Sequence, residues 1–142
     1  RFTMFCKRIL KSSNDKMLAT RWELLTFLMH IQHAYYYLYK YMNENNIKAS
    51  KKIIDILNEL SDYFNLLYDA FIKKDLNKVH EINRKSEKYH KGGCFKSIEN
   101  SKGKNSVIQS NIKEIFRLIQ ISTSPIISLI LEQQIYDKKT KN

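Results

Sequence analysis

Three glycines and one proline leave this 142-residue chain very few places to turn sharply. Sheet proteins place both residues in tight turns, so their scarcity predicts long helices joined by short connections. A hydrophobic share of 43% is ordinary for a globular domain and too high for a chain disordered throughout. The length suits one domain able to bury a real core. Apolar residues recur in steps of three and four, and no stretch alternates with the period of a strand. The expectation is an all-α, antiparallel helix bundle.

Residues Arg1 to Lys11 read as the end of a helix, with Phe2, Phe5, Ile9 and Leu10 on one face. Ser12, Ser13, Asn14 and Asp15 break it and offer N-caps for the next. A second helix is expected from Lys16 to Asn43, with Leu18, Leu25, Leu28, Ile31, Tyr35, Leu38 and Met42 on its stripe. After NENNIKAS, capped at Ser50, Ile53, Ile56, Leu57, Leu60, Phe64, Leu67 and Phe71 form a cleaner seam. Lys73-Lys74-Asp75 marks a turn with Asp75 as N-cap, and Leu76, Val79, Ile82 and Ser86 begin another helix. Gly92-Gly93 interrupts it before CFKSIE resumes. NSKGKN is the one clear loop. A last helix from Ser106 to about Tyr136 buries Ile108, Ile112, Ile115, Ile119, Ile126 and Ile130, is kinked by Pro125, and leaves a frayed tail at 137–142.

The formal charge is +11, from 25 Lys and Arg against 14 Asp and Glu. Such a balance attracts nucleic acid, anionic lipid or an acidic protein. Here the charge is scattered rather than striped, which is also what a Lys- and Asn-rich compositional habit produces. Cys6 and Cys94 stand alone, far from any C-x-x-C pair. That favours a reducing, cytoplasmic setting and inert thiols, with a bridge between them left open. The opening RFTMFCKRIL has neither an initiator Met nor a secretory h-region and reads as the start of a fragment. IISLIL is too short to cross a bilayer, so no membrane insertion is expected.

Candidate chemistry is sparse. His30 and His33 sit one helical turn apart, as metal ligands might, yet lack an acidic or cysteine partner at matching spacing. His33 is the one weak metal candidate, and no cofactor is expected. No arrangement of Ser, His and Asp can be argued into a triad, so the chain reads as a non-enzyme. AYYYLYKYM carries Tyr35, Tyr36, Tyr37, Tyr39 and Tyr41 all round a helix, which suits coverage by both core and partner. Interleaved with Lys40, the same tyrosines could stack on bases if they formed an open platform. Arg84, Lys85, Lys88, Lys91, Lys96, Lys102 and Lys104, set against Glu87 and Glu99, make the best local basic patch.

Two features resemble the PhoU family of phosphate-uptake regulators, in an archaeal-like form. The first is DILNELSDYFNLLYDAFIKKDLNKVHEINRKSEKYHK, Asp55 to Lys91, with a seam helix ending in Asp69-Ala70, a Lys-Asp turn and a second helix. The second is element order: RFTMFCKRIL and Leu18 to Met42 look like the end of one three-helix repeat, and Lys51 to Gln134 like a whole second one. The resemblance covers nearly the entire chain, as the C-terminal two-thirds of a six-helix domain. It departs where the family carries Glu-Arg-Ile-Gly-Asp on its third helices. Those acidic positions fall on Met29 and His33, and on Arg117 and Ile121, so the family's iron or zinc cluster is not implied.

The resemblance implies residues 1–50 as the last helices of a first repeat and 51–136 as a second. It also implies a non-catalytic adaptor that restrains phosphate uptake by touching a transporter ATPase or a signalling protein. Tyr36, Tyr37, Lys40, Tyr41, Arg84, Lys85, Lys88 and Lys91 are the expected partner contacts. A homodimer is compatible with this reading. The alternative is a nucleic-acid-binding regulator or a virus structural protein using the basic helical surface; archaeal relatives often carry a DNA-binding domain in front of this region.

Overall fold

The last long apolar segment is the spine against which the other helices pack, except the first, which among the described residues docks on the second alone. The computed structural model describes residues 2–12, 17–89 and 93–139, and every regular element among them is helical. In chain order these are α1 (Phe2–Ser12), α2 (Leu18–Glu44), α3 (Lys51–Lys73), α4 (Leu76–Lys88), α5 (Cys94–Glu99), α6 (Lys104–Ile121) and α7 (Thr123–Lys139). Ile108, Ile112, Ile115, Phe116, Leu118 and Ile119 of α6 are all buried, because α2, α3, α4 and α5 each pack against it. Ile126 and Ile130 continue the burial along α7. All six isoleucines expected inside the core are there.

Local chemistry sets the helix ends. Ser50 Oγ accepts from the Ile53 amide at 3.4 Å and opens α3. Asp75 Oδ1 accepts from the Asn77 amide at 2.9 Å and opens α4. α2 closes on Asn46, whose φ of 52° is in the left-handed region. The Ile47 amide then donates to the Met42 carbonyl at 2.8 Å and the Asn46 amide to Asn43 at 3.1 Å, a Schellman ending. The N-caps expected at 13–15 lie outside the described residues, while Ser12 is the last residue of α1.

Several expectations are corrected. Of the expected α2 stripe Ile31 and Leu38 are buried, while Leu18, Leu25, Leu28, Tyr35 and Met42 are only half covered, and Leu24, outside the expected stripe, is buried as well. α3 buries Tyr63 and Ala70 in addition to Ile53, Leu60 and Leu67, whereas Ile56 and Phe64 are half-buried and Phe71 is exposed. The break near Pro125 falls at Ser122. Proline cannot donate to the Ile121 carbonyl and its ring crowds that oxygen, so the helix ends and restarts. As the third residue of α7, Pro125 occupies a position where an amide has no intrahelical partner anyway. The hydroxyls of Ser122 and Thr123 donate to the carbonyls of Leu118 and Gln120, each at 2.7 Å, which keeps this buried joint satisfied. α6 starts two residues earlier than expected, and α7 runs on to Lys139 into the supposed tail.

Lys104 Nζ donates to the Asn45 carbonyl at 3.4 Å, so α6 starts beside the end of α2 and runs antiparallel to it. α3 and α4 form an antiparallel hairpin on the opposite flank of α6, tied by Tyr63 Oη donating to the Ile82 carbonyl at 2.8 Å. Tyr63, Phe116 and Tyr89 cluster there, with Phe116 and Tyr89 stacked at 4.4 Å. α1 docks on α2 through buried Lys7, which donates to Thr26 Oγ1 at 2.6 Å and lies 4.8 Å from the Trp22 ring centroid.

By length and composition, Lys104–Ile135 is apolar enough to cross a bilayer, further than IISLIL alone suggested. Of that apolar window 56% is buried against the other helices, which is how a core helix uses such residues.

Two outcomes test this packing. Ile119→Ala, at a fully buried position, is expected to cost about 2–5 kcal/mol in urea unfolding, since it opens a cavity in the spine. Burial pushes the Tyr63 phenol up to about 12, with the Ser86 hydrogen bond pulling the other way. The folded state then keeps a proton that the unfolded chain releases. Stability is full below about pH 10 and declines between about pH 10 and 12, by roughly 2–3 kcal/mol from this group. Tyr63→Phe should lose that part of the alkaline decline; an identical pH profile in both proteins would refute the assignment.

Candidate docking groove and aromatic face

α2 and α3 follow one another in the chain, yet no Cα of one lies within 8 Å of the other. Each packs instead on the α6–α7 spine, and between them runs an open apolar groove. Its middle section, about 570 Å³, is lined by Leu25, Leu28, Ile31, Gln32 and Tyr35 of α2 and by Leu57, Ser61 and Phe64 of α3. Tyr35 and Leu57 lead into a second section of about 390 Å³ that reaches Met42 and Ile47. Leu28 and Phe64 lead the other way into a narrow section of about 100 Å³ ending at Phe71 and floored by Ile126. None of the residues lining these three sections is charged, in a chain where 27% of residues are. Burial against this apolar wall pushes the Tyr35 phenol up from its ordinary value.

The groove edges are aromatic and aliphatic as well. Tyr39 of α2 and Tyr68 of α3 line the groove and are exposed, and exposed Ile72 stands next to Phe71 at its narrow end. Depletion of charge with enrichment in Tyr, Phe and Met marks the centre of protein interfaces, whereas overall hydrophobicity does not. The signal in the sequence was the breadth of the α2 stripe. Leu24, Ile31 and Leu38 suffice for one contact, and Leu25, Leu28, Tyr35 and Met42 widen it beyond what a single neighbour covers.

The expected contact residues divide. Tyr36 and Tyr37 are exposed at 55% and 58% and meet edge to face at 5.6 Å. Lys40 is exposed and pairs with Glu44 at 3.7 Å. Tyr41 is half-buried and packs against the core. Arg84 is exposed, and Lys85 pairs with Glu81 at 3.1 Å. Lys91 and the Lys88 side chain lie outside what is described. α2 and α4 do not touch, so Arg84 and Lys85 are not brought against the tyrosines of α2, whereas Lys104 at the start of α6 reaches the end of α2.

His30 and His33 are both exposed, and His33 stands 6.4 Å from Tyr37, ring to ring. Among the described residues no three His, Cys, Asp or Glu side chains gather as a metal site would require. Met29 is half-buried and Arg117 is exposed, gripping Glu114 through two bonds of 2.7 and 2.8 Å. Cys6 is a half-buried free thiol, and the Cys94 side chain lies outside the description. A further cavity of about 330 Å³ sits between α3, α5 and α6 over the Tyr89–Phe116 stack, where Tyr89 Oη donates to Glu59 at 2.8 Å.

No family model, curated protein or solved structure matches this chain.

An open groove has an energetic signature. Ile31→Ala, at the buried side of α2, is expected to cost about 2–5 kcal/mol. Leu28→Ala, at the half-open wall, is expected to cost only about 1 kcal/mol, because less surface is removed from contact. Equal losses in thermal or urea unfolding would mean that the groove is filled in solution.

Proposed function

We propose that this chain is a non-catalytic regulatory adaptor that works by protein–protein contact. The observation that carries the proposal is the uncharged groove between α2 and α3, with exposed Tyr39 and Tyr68 in its lining. A contiguous apolar groove with exposed aromatic side chains in its lining is the kind of surface that marks contact sites. The polar groups of a reaction centre have no counterpart in its lining, which offers Ser61, Gln32 and Asn43 as its only polar side chains besides tyrosine hydroxyls.

The specific assignment is control of phosphate uptake, through contact with a transporter ATPase or a signalling protein. Its support is the resemblance to the PhoU family together with element order. α3, the Lys73–Asp75 turn, α4, the short α5 and the α6–α7 spine follow in that order, and the resemblance groups them as one three-helix repeat. α2, the counterpart of the preceding repeat's last helix, lies against that spine.

Five of the 25 basic side chains are paired locally, which takes those five out of a nucleic-acid surface. Lys40 with Glu44, Lys73 and Lys78 with Asp69, Lys85 with Glu81, and Arg117 with Glu114 are ion pairs along the helix surfaces. The two lysines hold the Asp69 carboxyl below its usual range. Cations engaged this way are poor followers of a phosphate backbone, which is read best by unneutralised stripes.

Phosphate uptake under phosphate-replete growth tests the assignment. Deleting the gene is expected to raise uptake, and the wild-type chain to restore restraint. The Tyr36→Ser/Tyr37→Ser double variant is expected to melt within about 0.5 kcal/mol of wild type, since both rings are exposed, and yet fail to restore it. Uptake that does not respond to the deletion at all would remove phosphate control from this protein.

A further inference from the structure

We infer that the α2–α3 groove seats an acidic amphipathic helix supplied by a partner protein, which closes the bundle on its open side. The inference rests on the adaptor reading above and names the partner's chemistry. The spine forms a floor with α2 along one flank and α3 along the other. That arrangement is three sides of a four-helix bundle, whose inward side chains are completed by one more helix. From Leu24 to Met42 the groove runs roughly 27 Å at ~1.5 Å per residue, the length of a helix of about 18 residues. Its apolar walls suit anchors at i, i+3, i+4 and i+7 of an incoming helix.

Charge selects among occupants. With no charged lining residue, the seam of the partner helix must be uncharged too, because an ion buried there would find no opposite charge. The ends of the groove are basic. Arg21 and Lys74 stand beside Phe71 at one end, and exposed Lys48 and Lys51 flank Ile47 and Ala49 at the other. Acidic residues flanking the partner's seam complement both ends. A second copy of this chain would bring its own basic ends and its own +11 against them, so self-pairing is disfavoured.

The test uses the full chain and a labelled synthetic peptide of about 18 residues, with Leu at seam spacing and Glu elsewhere. Saturable binding by fluorescence anisotropy is expected, weakening as salt rises. Ser61→Glu and Gln32→Glu, at exposed positions on opposite walls, are each expected to weaken it about tenfold or more. Thermal melts check both folds, and two positions keep the test intact if one variant unfolds. Glu99→Gln on α5 should bind as wild type.

Binding indifferent to both groove variants overturns the proposal. So does equal binding of a peptide with the same seam and Lys in place of Glu. A dimer in sedimentation that Ser61→Glu separates makes the occupant a second copy, which also overturns it. The two readings fail separately. Uptake control that survives Ser61→Glu but is lost in the tyrosine double variant sinks the groove and moves the adaptor's contact to the exposed Tyr36–Tyr37 face. Peptide capture by a protein whose deletion leaves uptake unchanged leaves the groove and sinks phosphate control.

Discussion

The isoleucines of α6 have neighbours on nearly every side, and this is the constraint from which the arrangement follows. An apolar face as broad as the one from Leu118 through the isoleucines to Phe116 has to be enclosed by more than one neighbour, and each fully buried Ile contributes roughly 1.5–3 kcal/mol relative to exposure. α2 encloses one flank and the α3–α4 hairpin the other. The two flanks are held by the spine and not by each other, which is why consecutive helices can stand apart with an apolar channel between them. A chain whose α2 and α3 packed directly would have no such channel.

Polar groups inside the bundle are handled locally. Tyr63 delivers its hydroxyl to a carbonyl of α4, and Ser122 and Thr123 deliver theirs to carbonyls within the preceding turn. Each removes a buried donor and a buried acceptor together, so the hydrophobic contacts around them are not spent offsetting an unsatisfied dipole. The joint at Ser122 divides the spine into two helices without a loop. α6 can thereby serve α5 and the hairpin while α7 continues under the first half of α2.

Much of this was legible in the residues. Ser50 and Asp75 announce helix starts because a short side-chain oxygen before an apolar period has a defined amide to accept from. The spine isoleucines stand out because six β-branched residues at helical spacing have no other use. Leu24 was passed over for Leu25 because periodicity measures angle alone, and two adjacent leucines straddle the boundary between core and edge. Tyr63 was missed because its polar tip hides a core role until a carbonyl is seen to receive it. Pro125 marked the right region but not the break itself, which falls where the missing donor would have bonded and not where the ring sits. The groove could not be read from any single helix. It is a relation between α2 and α3, and their spacing depends on a third element sixty residues downstream.

That separation has a consequence for how the protein is made. α2 leaves the ribosome well before α6, its principal support. At synthesis rates of about 5–20 residues per second, the intervening sixty residues take roughly 3–12 s. Throughout that interval Leu24, Ile31 and Leu38 are as uncovered as the groove residues beside them, and α3 and α4 can pair only with one another. Nascent α2 is therefore a natural substrate for chaperones that hold exposed apolar helices, and its release is timed by the emergence of the spine.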